Sequence, residues 1–102
     1  MNKTIAGQHI EFSDEGFMTD MQVWTKEIAV ELAKEYGIGL SEKHFAVLDF
    51  MRKRYSQGEE MTLRLVGSSG IADIKEMYVL FPKRPLKLAA LIAGIPKPTG
   101  CL

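Results

Sequence analysis

The sequence predicts a mainly α-helical domain of the α+β kind: a small bundle of about five helices, a β-hairpin at the N-terminus and an extended arm at the C-terminus. Three observations carry the prediction. Apolar residues recur every three or four positions through most of the stretch from Trp24 to Ile92. Ahead of it, His9-Ile10-Glu11-Phe12 alternates polar and apolar residues, the period of a strand. Behind it, Pro96 and Pro98 each fix φ and lack an N–H donor, which excludes helix and favours extended chain.

The hairpin is read over residues 4–18, with Thr4-Ile5-Ala6 leading to a turn at Gly7-Gln8 and on to the alternating segment. Ile5, Ile10 and Phe12 then share a face. Ser13-Asp14-Glu15-Gly16 makes a second turn before Phe17-Met18. A lone hairpin is marginal in water, so this one must pack on helices. His9 reads as an exposed strand residue, with no partner at a metal-ligating spacing.

Asp20 precedes the first helical pattern, in which Trp24, Ile28, Leu32 and Tyr36 recur every four residues and Gly37 is the stop. Trp24 heads this stripe and reads as a core anchor. Ser41 is a good N-cap for the second helix, carrying Phe45, Leu48, Met51 or Arg52, and Tyr55 before Gly58. His44 falls at the third helical position, where it serves as a local cap or a surface residue. Arg52-Lys53-Arg54 reads as a solvated basic face. A short helix follows from Met61 to Val66, then a Gly67-Ser68-Ser69-Gly70 turn. Ile71, Ile74, Met77, Tyr78 and Phe81 mark the next helix, which stops before Pro82. Helix, glycine turn, helix resembles a DNA-binding motif, but this second helix exposes Asp73, Lys75 and Glu76, which suits a plain helical corner better than base readout. Pro85 opens the last helix and Gly94 closes it; between them Leu86–Ala93 is apolar nearly all round, so that helix is buried.

The 102 residues, 46% of them hydrophobic, make one domain with one core. Net charge is zero, which argues against direct nucleic-acid binding. The charge is unevenly spread, however. All thirteen acidic residues lie at or before Glu76, and only Lys83, Arg84, Lys87 and Lys97 follow. Such a basic quarter favours an acidic partner surface or a sulfur anion. The single cysteine excludes an internal disulfide and an all-thiolate metal cluster, and no metal or cofactor is expected. No apolar run approaches the ~20 residues that span a bilayer. The N-terminal residues lack the apolar core of a signal peptide. A cytoplasmic protein, in a compartment that keeps thiols reduced, is therefore expected.

Residues 1–94 are thus read as the body and residues 95–102 as an arm carrying that cysteine, Cys101, one residue from the last. Most lone thiols are small buried hydrophobes, and some sit on ends where they are merely tolerated. A position behind two prolines is poorly placed for core burial, and an idle exposed thiol is an oxidation liability. Prenylation needs a cysteine four residues from the end, so it fails here. Gly100 gives the backbone freedom just before the thiol. Fully extended, the arm reaches on the order of 25 Å beyond Gly94.

Several stretches resemble the DsrC/TusE family: Asp14-Glu15-Gly16-Phe17, Gly37-Ile38-Gly39-Leu40-Ser41, Leu80-Phe81-Pro82 and, above all, Ala93-Gly94-Ile95-Pro96-Lys97-Pro98-Thr99-Gly100-Cys101-Leu102. The resemblance implies an orthogonal helical bundle with an N-terminal hairpin and a mobile C-terminal arm. It implies that Cys101 carries sulfur as a persulfide between donor and acceptor proteins, a sulfurtransferase-type activity. Pro96, Lys97, Pro98 and Gly100 would be arm residues that set spacing, contact and hinge. DsrC proper resembles a partner, or gamma subunit, of dissimilatory sulfite reductase and uses a second cysteine eleven positions upstream, which here is Ala90. A single cysteine points instead to the TusE branch, a relay toward 2-thiouridine in tRNA, with a tRNA-thiolating enzyme as the acceptor. The Pro98-Thr99-Gly100 lead-in looks more like DsrC, so a sulfite-reductase partner or a non-catalytic docking module stays open. The thiolate is the reactive form; the terminal carboxylate opposes its formation, and Lys97 favours it.

Overall fold

In the computed structural model, residues 1–98 are described. Ala6 and Gly7 both take positive φ, 51° and 79°, the pair that a two-residue hairpin turn of the primed type requires. They join β1 (Asn2–Ile5) to β2 (Gln8–Glu11), antiparallel, with Lys3 opposite Ile10 and Ile5 opposite Gln8. The turn lies one residue earlier than Gly7-Gln8 because Ala6 accepts a left-handed conformation that alanine seldom takes. Ile5, Ile10 and Phe12 do share the inner face, and Ile10 and Phe12 are buried. The second turn brings Met18 back to pair with Phe12, and Ser13 takes the N–H of Gly16 on its carbonyl.

Asp20 caps only a single tight turn, Met21–Val23. The first helix, α1 (Lys26–Lys34), starts later, at Thr25, whose hydroxyl accepts the N–H of Ile28. Trp24 is extended between the two caps, so it stands at the entrance of the helix, outside its stripe. Tyr36 lies past the end of α1 and is 48% exposed. The second helix, α2 (Glu42–Ser56), is capped by Ser41 as expected, and Gly58 follows its end. The third, α3 (Leu63–Gly67), begins at the Thr62 cap, two residues after the expected Met61, which is buried ahead of it. The fourth, α4 (Ile74–Leu80), opens with a reciprocal cap between Asp73 and Glu76. The last, α5 (Pro85–Ala93), has Pro85 in its first turn and Gly94 at φ 70° behind it.

Five helices and a two-stranded sheet are the architecture that the sequence predicts. Two apolar clusters hold it together. The larger is formed by α2, α3, α4, α5 and the Ala29/Ala33 side of α1. The smaller joins Ile10, Phe12 and Met18 to Ile28 and Leu32 of α1. Trp24 packs against both. Seven of the nine residues of α5 are buried, which makes it the central rod. Among the described residues, no helix is long and apolar enough to cross a membrane.

Candidate functional site at the root of the C-terminal arm

The arm leaves α5 at Gly94, and the exit is fastened by side chains from two other elements. The indole Nε1–H of Trp24 donates to the Ile92 carbonyl at 2.8 Å. The Arg52 guanidinium donates through Nη1 to the Ala93 carbonyl and through Nη2 to the Met21 carbonyl, both at 2.8 Å. It also lies over the Trp24 ring, 4.2 Å from the centroid. Burial lowers the pKa of Arg52 from its ordinary value, with Asp49 opposing the shift. Arg52 is therefore not part of a solvated face. Arg54 is not either: it donates to the Glu60 carbonyl and pairs with Glu59 at 2.9 Å. Of the expected basic run only Lys53 is exposed.

The described part of the arm is seated on the body. Ile95, counted with the arm in the sequence, is 1% exposed and belongs to the main core; its N–H reaches the Ala90 carbonyl at 3.3 Å. Pro96 is half-buried and Pro98 is buried. Lys97 projects outward and pairs with Glu15 of the hairpin's second turn at 2.9 Å. The residues expected to carry or hinge the chemistry, Cys101 and Gly100, lie outside the described residues. Ala90 is wholly buried in α5.

Two grooves adjoin this segment. One, of about 360 Å³, is lined by Tyr55, Glu59, Glu60 and Met61 together with Ile95–Pro98. The other, of about 520 Å³, is lined by Glu15, Tyr36, Pro82, Lys83, Arg84, Lys87, Leu88 and Leu91. The Lys97–Glu15 pair connects the arm to this second groove. The Tyr36 phenol has its pKa raised, by partial burial and then by Glu35. Sequence reasoning found the basic charges but missed that the chain gathers three of them on one groove. It offered Arg52 as an alternative to Met51 on the inward stripe, four residues after Leu48, but did not find the carbonyls that hold it.

His44 is more than a local cap. Ser41 and His44 form a capping box in which the Ser41 N–H donates to Nδ1 at 3.1 Å. The opposite nitrogen, Nε2, then donates to the Leu80 carbonyl at 2.9 Å, and the ring meets Phe81 edge-on at 5.2 Å. At 8% exposure it is a structural tie between α2 and α4, and the surface alternative is corrected.

Comparison with known proteins is consistent end to end. The sequence profile of the family described as DsrC like protein matches residues 4–102. Proteins named sulfurtransferase TusE are 34% identical in Escherichia coli and 35% identical in Photorhabdus laumondii, each alignment covering 94% of this chain and 95% or 94% of the relative. Among solved structures, DsrC of Allochromatium vinosum superposes with a TM-score of 0.82 at 30% identity over the whole of both chains. The oxidized gamma subunit of the dissimilatory sulfite reductase (DsrC) from Archaeoglobus fulgidus superposes equally well, at 0.82 and 29% identity, again over both chains entirely. The hairpin and the five helices are thus those of one family, and the chain belongs to the DsrC/TusE family.

Proposed function

We propose that this chain is a sulfur-relay protein that transfers sulfur through Cys101. One observation supports this most: its only cysteine follows an anchored proline segment, in a chain that matches sulfurtransferases along almost its whole length. The Cys101 thiolate attacks the outer sulfur of a donor persulfide. A bond forms between Cys101 Sγ and that sulfur, the donor's S–S bond breaks, and the donor leaves as a thiolate. An acceptor thiolate repeats the exchange on the Cys101 persulfide and returns Cys101 as a thiolate. Nothing is oxidised or reduced overall, so neither metal nor cofactor is required. Three peptide units separate Cys101 from Pro98 and span about 11 Å at most, and Pro98 itself lines the smaller groove. Residues 1–94 act as the body and 95–102 as the arm, with Pro96, Lys97, Pro98 and Gly100 setting its path. The relay operates in the cytoplasm and leads toward 2-thiouridine in tRNA, the TusE-like outcome.

A second reading, a DsrC-like partner of a sulfite reductase, is favoured by the superposition with dissimilatory sulfite reductase I at a TM-score of 0.83 and 33% identity. Ala90 separates the two, because the paired-cysteine chemistry of that branch has no second thiol here. Intact-mass measurement after incubation with a cysteine desulfurase, cysteine and a relay donor tests the proposal. One added sulfur on the native chain, absent from Cys101→Ala, is the expected result. No adduct from several donors on a thiol that alkylates readily would overturn it and leave the docking role.

A further inference from the structure

The groove under the connector between α4 and α5 carries charge that the fold does not use. Lys83, Arg84 and Lys87 line it, and among the described residues none of them makes an ion pair or a side-chain hydrogen bond. The one carboxylate on its wall, Glu15, is already neutralised by Lys97 at 2.9 Å. Pro82, Leu88, Leu91 and Tyr36 supply its apolar lining. A volume of about 520 Å³ exceeds what a single small anion fills and suits several side chains of a peptide.

Lys83 adds an independent sign. Its φ is 74°, and the Arg84 N–H closes back onto the Pro82 carbonyl at 2.9 Å. That is the γ-turn of positive φ, the rarer and strained kind. A glycine would adopt it without strain, yet a lysine stands there on the rim of the groove.

We propose that this groove docks an acidic, leucine-bearing segment of a relay partner, a surface role that rests on the reading of the chain as a relay protein. Carboxylates pair with Lys83, Arg84 and Lys87, and leucines cover Leu88 and Leu91. The docked partner then sits beside Glu15 and Lys97, next to the segment that leads to the thiol. A phosphate chain fits less well: the protein has no net charge, the three cations are confined to one groove, and a carboxylate stands on its wall.

The test is calorimetric titration of the full chain with a short peptide of glutamate and leucine, beside a lysine–leucine peptide and an RNA hairpin at equal salt, with amide NMR shifts to locate binding. The acidic peptide should bind, weaken with salt, and shift amides around Tyr36 and Lys83–Leu91. Arg84→Gln and Lys87→Gln should each weaken it about three- to ten-fold at unchanged Tm. Lys83→Gly should weaken it while raising Tm by a few degrees, a pairing that a purely structural role for Lys83 would not produce. No binding, binding indifferent to these variants, or tighter binding of the RNA hairpin through the same amides would overturn the proposal. Cys101→Ala should bind the peptide normally, and Arg84→Gln/Lys87→Gln should still load sulfur on Cys101 from a small persulfide. Failure of loading in the native chain sinks the relay reading and leaves the groove to be judged by the peptide alone.

Discussion

Gly94 has two separate reasons to be glycine. Its φ of 70° is left-handed, and a Cβ there would lie 2.5 Å from Cδ1 of Trp24 and 2.9 Å from Sδ of Met18. The indole cannot retreat easily, since it is held by the Ile92 carbonyl and by Arg52. Gly94→Ala should therefore lose about 2–4 kcal/mol, adding backbone strain to overpacking, measured by urea unfolding. A loss below about 1 kcal/mol would mean that the arm's root shifts freely. The stop at Gly94 was legible from glycine after an apolar helix. The second reason was not, because Met18 and Trp24 are distant in sequence. Arg52 shows the same limit: three successive cations look solvated until the carbonyl partner 41 residues away is in place.

At the scale of elements, the first turn of α2 is sewn to both ends of α4. His44 holds the Leu80 carbonyl at its C-terminal end, and Lys43 pairs with Glu76 in its first turn. His44→Ala removes a reciprocal cap, a long-range hydrogen bond and an edge contact with Phe81. A loss of about 2–3 kcal/mol should follow in chemical denaturation, against about 1 kcal/mol for Ser41→Ala. Equal losses would show that only the cap matters. The Glu76 carboxyl is lowered from its ordinary value of 4.5, by its hydrogen bond from Lys43 first and then by the N–H of Asp73. Its folded pKa lies below the unfolded one, so its contribution is present above the ordinary value and is lost as pH falls through the folded one. Tm measured against pH should drop less steeply on the acid side in Glu76→Gln, and unchanged steepness would refute the link. Helix starts at Ser41 and Pro85 could be read from their capping residues. Those of α1, α3 and α4 were placed too early because Thr25, Thr62 and Asp73 supply caps of their own, and the helices begin two or more residues after the expected starts.

For the molecule as a whole, the hairpin's apolar cluster and the bundle's meet at Trp24. A hairpin of four-residue strands has little stability alone, so its survival depends on that seam. In hydrogen exchange, Ile10 should be protected nearly as well as residues of α5 in the native chain. Trp24→Ala should lower protection of β2 far more than that of α5; equal lowering would mean one indivisible core. Fold class and element order were legible because binary patterning and punctuation are local. The grooves were not, since each is walled by segments far apart in the sequence.

The clamp on the arm also has an optical consequence. Trp24 is the only tryptophan, so the protein's indole emission comes from one place, the root of the arm. Its Nε1–H is shielded by the Ile92 carbonyl and its face by a cation. Any event that draws Ile95 out of the core must pull on Ile92–Gly94, admit water to that nitrogen and move the emission to longer wavelength. The chain thus carries an unlabelled reporter of its own arm, and partner engagement can be followed by colour alone.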